Sequence, residues 1–182
     1  MNEQIPNTAI MEPTASLTEP AKEMESVDPL KEIKAKLTET EKENFFKAWV
    51  ADKPYISEEF LFNGKIPVKF STLNIKQNNL LSLQMQFDRD KGIAKNTDAY
   101  ILKIIQYRIA ASLLELDRKP FGPDITAEAY PPDEKSGTTH LLKKLELMED
   151  WGICKVSGMT EAFNRFEKKI RALTEESSKE NF

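Results

Sequence analysis

The stretch FLFNGKIPVKF, Phe60 to Phe70, constrains this chain more than any other, because it is the one clear β-signature in a sequence otherwise patterned as helix. Asn63-Gly64 lies between two β-rich runs, and both residues tolerate positive φ, so the pair is a strong hairpin signal. Pro67 restricts the register. A two-residue turn sets Pro67 opposite Phe60 in a hydrogen-bonded pair, where an amide donor is required and proline has none. A four-residue loop moves Pro67 to a non-bonded position. A three-residue loop puts Phe60 with Ile66, Val68 and Phe70 on one face and leaves the proline unsatisfied. All three stay open in the sequence, and in each Pro67 weakens pairing on one side, which discourages edge association.

A lone hairpin is marginal in water, so helices must cover it. Asp28-Pro29 predicts the start of a short helix carrying Leu30, Ile33 and Leu37. Thr38 and Glu41 form a capping box for a helix to about Asp52, with Phe45, Phe46, Trp49 and Val50 on one flank and Lys53-Pro54 as its stop. Asn74 with Gln77 caps a helix bearing Leu80, Leu81, Leu83 and Phe87, and Asp88 to Asn96 reads as a loop. Thr97 opens the expected core helix, whose apolar band of Tyr100, Ile101, Ile104, Ile105, Ile109, Leu113 and Leu116 predicts an end near Asp117. Lys119 to Pro123 and Tyr130 to Pro132 bracket an irregular crossing. Leu141, Leu142, Leu145, Met148 and Trp151 then recur at helical spacing, with a break at Gly152 or at Ser157-Gly158. Met159, Phe163, Phe166, Ile170 and Leu173 alternate steps of four and three, the seam of a helix packed on its own core or on a second copy.

The expected fold is mainly α with one small β-hairpin, an α+β arrangement. A length of 182 residues suits one domain, placed at residues 29–174 with the hairpin near 58–72. Residues 1–28 hold no aromatic side chain and carry Pro6, Pro13 and Pro20, so they read as a disordered arm; residues 175–182 read as a frayed tail.

The chemistry of the chain argues against an enzyme. His140 is the single histidine and Cys154 the single cysteine, so a two-histidine zinc site and an internal disulfide find too few residues. No phosphate-cradling or dinucleotide glycine motif and no calcium loop occurs, and no cofactor is expected. Twenty-six basic and 30 acidic side chains leave a formal charge of -4, too small and mixed to predict a nucleic-acid surface. No basic-then-apolar leader opens the sequence, and its richest apolar run, Ile101 to Leu116, is interrupted by Lys103, Gln106 and Arg108, so no membrane span is expected. These features predict a soluble protein of a reducing cytoplasm.

The succession LTETEKENFFKAWVADKPY, a strand, FNGK, a second strand ending KFSTL, a leucine-bearing helix and AYILKIIQYRIAASLLEL resembles the tail assembly chaperones of long-tailed bacteriophages. Trp151 and the helix from Phe163 to Leu173 suit the same pattern. The resemblance implies a non-enzymatic helper in the host cell cytoplasm. Such a helper keeps the hydrophobic, helical tape measure protein soluble and brings it to tail tube subunits. The apolar positions that would hold such a client are Phe45, Trp49, Phe60, Phe62, Trp151, Met159, Phe163, Phe166 and Ile170. The alternative is a structural baseplate or tail subunit.

Overall fold

Side chains that accept from free amides start three of the helices. Thr38 accepts from the Glu41 amide while the Glu41 carboxylate accepts from the Thr38 amide at 2.9 Å, and Asn74 with Gln77 repeats this box. Thr139 accepts from the Leu142 amide. The computed structural model describes Ile33 and residues 36–92, 97–125 and 139–179. The expected arm and most of the short helix after Pro29 lie outside them. In chain order the elements are α1 (Glu39–Val50), β1 (Ile56–Leu61), β2 (Ile66–Ser71), α2 (Ile75–Asp90), α3 (Thr97–Ser112), β3 (Leu113–Leu116), β4 (Lys119–Pro120), α4 (His140–Glu149) and α5 (Ile153–Lys179).

The fold is mainly α with one small antiparallel sheet, but that sheet has four strands in the order β1-β2-β3-β4 rather than a lone pair. Leu113 and Leu116, expected at the end of a helix, belong to β3. Helical periodicity runs unbroken through AASLLEL, yet Asp117 and Arg118 adopt φ of 53° and 61°, closing a two-residue turn that pairs Leu116 with Lys119. Leu113 pairs with Phe70 across a bulge at Lys69/Phe70, and Lys144 Nζ donates to the Leu113 carbonyl, which the helix no longer serves.

The first hairpin takes the four-residue loop, 62–65, between paired Leu61 and Ile66. Phe60 faces Pro67 at a non-hydrogen-bonded position. The Phe60 carbonyl turns outward to Arg165 Nη2 at 2.6 Å, and the Pro67 carbonyl accepts from the Asp117 amide at 2.9 Å. Proline's missing amide therefore points toward β3, just past the last ladder pair, Val68 with Leu116, and no β1–β2 bond is lost. Pro67 lies on an inner strand, not on an edge as expected; the proline on an edge is Pro120, in β4. Phe60 consequently lies on the face opposite Val68 and Phe70, not beside them.

The inner face of the hairpin is covered by α5. Phe70 meets Phe163 edge-on and Phe166 at a tilt, both with ring centroids 5.5 Å apart, and Val68, Phe70 and Leu113 are fully buried. Each such side chain contributes roughly 1.5–3 kcal/mol by leaving water. Tyr107, Ile109 and Ala110 of α3, Leu80 and Leu81 of α2, and Leu141 of α4 complete the core. Buried Asp88, which the sequence places in a loop, lies inside α2 and accepts from the Tyr107 hydroxyl. Ile101, expected in the core band, is exposed. The break falls at Trp151-Gly152, between α4 and α5, and α5 passes through Gly158 and continues beyond residue 174 to Lys179.

Candidate functional site

Strand β1, ISEEFL, is folded with its polarity inverted. Ser57, Glu59 and Leu61 point inward, whereas Ile56, Glu58 and Phe60 face out. Lys169 of α5 explains the choice. Its ammonium lies 2.9 Å from Glu59 Oε1, 3.0 Å from Ser57 Oγ and 3.2 Å from Glu41 Oε1, and Arg165 Nε approaches Glu59 Oε2 at 3.6 Å. Burial works to lower the Lys169 pKa, but the carboxylates of Glu59 and Glu41 outweigh it and hold the amine charged, above its ordinary value. Burial likewise pushes up the Glu41 carboxyl, and the Thr38 and Lys169 hydrogen bonds reverse that, leaving it below the usual range. A one-residue slip of β1 would bury Phe60 and strip Glu59 of its cation, so this cluster fixes which face is shown to solvent.

The consequence is a groove of about 810 Å³ between the hairpin loop and the first turns of α5, with Phe60, Phe62, Ile153, Cys154, Gly158 and Arg165 among its walls. Ile153 is 81% exposed, Phe62 57% and Phe60 43%. Phe62 has φ 49° beside Asn63 at 54° and Gly64 at 91°. Left-handed backbone suits Asn and Gly but costs a bulky residue about 1–2 kcal/mol, and such strain persists where other constraints impose it. The loop holds an apolar ring in solvent at the expense of stability.

A second apolar surface lies on α1, which has no buried residue. It is held to the body by the Lys42–Glu176 and Glu41–Lys169 ion pairs and by an edge contact of Phe45 with Tyr55, centroids 5.4 Å apart. Trp49 is 70% exposed, and Phe46 and Val50 also face solvent.

The residues singled out in the sequence therefore divide. Phe60 and Phe62 share the groove, Trp49 is free on α1, and Phe45 is half-buried against Tyr55. Met159, Phe163 and Phe166 are core side chains, and Ile170 packs partly buried against them, so the seam of α5 is covered by its own fold. Trp151 is half-buried on Phe121, centroids 5.3 Å apart, with the Lys155 ammonium 4.3 Å from its ring. Ile56 and Ile153 were missed. The latter starts a helix whose apolar face begins only at Met159, a mismatch that marks Ile153 as unpartnered.

One buried charge stands apart from these surfaces. Lys144 of α4 is 1% exposed, and burial, opposed by Asp124, lowers its pKa to about 8. Among the described residues no three His, Cys, Asp or Glu side chains could share a metal ion, and no helix is long and apolar enough to cross a membrane. Comparison of the chain with protein-family models, curated proteins and solved structures returns no match.

Proposed function

We propose that this protein is a non-catalytic holder of a hydrophobic helical client, and specifically a phage tail assembly chaperone that keeps the tape measure protein soluble for delivery to tail tube subunits in the host cytoplasm. The supporting observation is the inverted β1. Ionic partners draw Ser57 and Glu59 inward, leaving Phe60 with Phe62 and Ile153 around an open groove. Aromatic and aliphatic anchors of this kind carry most of the energy in protein recognition, and an apolar helical face fits a groove through side chains at helical spacing. The tape measure protein and the tube subunits are drawn from the sequence resemblance.

Co-expression with the tape measure protein of the same genome tests this. The client should be markedly more soluble with the wild-type chain than alone. The combined substitutions Phe60→Ser and Ile153→Ser, both on solvent-facing side chains, should abolish the difference while leaving the circular dichroism spectrum unchanged. A client no more soluble with the wild-type chain than without it refutes the proposal.

A further inference from the structure

The other described helices bury side chains in the core, and α1 buries none. Its place on the C-terminal half of α5 rests on charge. Lys42 lies 3.0 Å from Glu176 and Glu41 3.2 Å from Lys169, and all four side chains keep between 19% and 31% of their surface exposed. Partly solvated ion pairs contribute little and weaken further in salt. The apolar fit is loose: a cleft of about 380 Å³ lies between the two helices, with Lys42, Glu43, Phe46, Leu173 and Glu176 among its walls. Close-packed elements leave few voids larger than a water molecule. Glu176 adds a polar defect, because its Oε1 meets Lys42 while its Oε2 is sheltered from water and receives no donor. A sheltered acceptor without a donor weighs against the docked position and is relieved once water reaches it.

The side chains beside α1 are set apart from the rest of the interior. Tyr55 and Leu173 are 6% and 2% exposed, yet both lie outside the main core cluster. Tyr55 meets Phe45 of α1 edge-on, and Leu173 shares the cleft with Phe46. Residues 51–55 join α1 to β1 without regular structure, so α1 can swing away without breaking a strand or another helix. We propose that α1 is a releasable strap, which opens from α5 as a unit while the rest of the fold stays intact and so uncovers the apolar patch at Tyr55 and Leu173. Screening of its ion pairs favours the open form. A free helix of 12 residues is marginal in water, so the opened strap also loses its helical hydrogen bonds. Opening therefore leaves a signature in amide exchange.

The test is amide hydrogen exchange of the full chain, resolved by NMR. The amides of Asn44 to Val50 should exchange together and well ahead of those of Val68 and Phe163. Raising salt from about 0.05 to about 0.5 M should speed them roughly threefold relative to those two. Glu176→Lys sets two cations face to face across the cleft without altering the sequence of α1. It should speed α1 exchange about fivefold, and adding Lys42→Glu should reverse most of that change by restoring an opposite-charge pair. Rates at α1 that match those of Val68 and Phe163 overturn the proposal. So do α1 rates indifferent to both salt and Glu176→Lys, and a double variant no slower than the single one. A Glu176→Lys effect of equal size at all sites reports global destabilisation and overturns it too. No client enters the measurement, so its outcome is separate from that of client holding.

Discussion

Replacing Lys144 by Met should change how stability responds to pH far more than it changes stability at neutrality. The folded protein holds this amine at a pKa of about 8 against an ordinary 10.5, with burial as the main cause. The difference of about 2.5 units corresponds to roughly 3 kcal/mol between the two protonation states. Because the folded-state value is the depressed one, the folded chain gives up its proton first as pH rises. Between about pH 8 and 10.5 the unfolded chain binds more protons, so unfolding free energy climbs by up to about 1.4 kcal/mol per pH unit. Methionine is unbranched and only one atom shorter than lysine, and it removes the charge, which favours the variant at pH 7. It also leaves the Leu113 carbonyl without its donor, a loss of about 1–3 kcal/mol, so the two effects nearly cancel there. The slope is what distinguishes them. Urea unfolding followed by tryptophan fluorescence at steps from pH 7 to 10 should show the wild type gaining on the order of 2–3 kcal/mol relative to Lys144→Met. Stopping at pH 10 matters, because Tyr55 and Lys169 have raised values and their contributions fall away above that point. Parallel profiles for the two proteins would refute the claim that a buried ammonium is held at the junction of α3 and β3.

Other substitutions probe the remaining features. Lys169→Met leaves the Glu59 carboxylate buried without its main cation and should cost about 3–5 kcal/mol in urea unfolding, most of it recovered by adding Glu59→Leu. Phe62→Asn removes a bulky side chain from left-handed backbone and should raise stability by about 1 kcal/mol while lowering client solubility in co-expression. Met159→Ala, at a fully buried position, should lose about 2–5 kcal/mol, seen as a lower Tm by calorimetry. The proposed chaperone role predicts that mass spectrometry of finished phage particles detects no copies of the chain; its presence at subunit stoichiometry would favour a tail or baseplate component.

Features set by neighbours in sequence were legible before the structure. The Thr38–Glu41 and Asn74–Gln77 boxes and the Asn63-Gly64 turn each depend on a few adjacent residues, and each lies where the pattern puts it, while the helix break falls at Gly152, the first of the two positions the sequence left open. Long-range choices were not legible. Leucine-rich β3 keeps a helical period until the Asp117-Arg118 turn and the waiting edge of β2 decide otherwise, and that turn lacks the glycine that usually announces it. The inward turn of Glu59 depends on Lys169, far along the chain, so alternation alone would have buried Phe60. The exposed surface was thus half visible: Trp49, Phe60 and Phe62 stood out as aromatics, whereas the burial of Met159, Phe163 and Phe166 is a property of packing.

The outward carbonyl of Phe60, held by Arg165, and the two-residue β4 ending in Pro120 have a joint effect at high concentration. Both margins of the sheet are poor templates for an incoming strand, one because a guanidinium occupies it and the other because it is short and lacks a donor. Both features work against edge-to-edge pairing of a chain that displays phenylalanine and isoleucine in water. A client held through those side chains alone, as proposed, would leave without any backbone ladder to break.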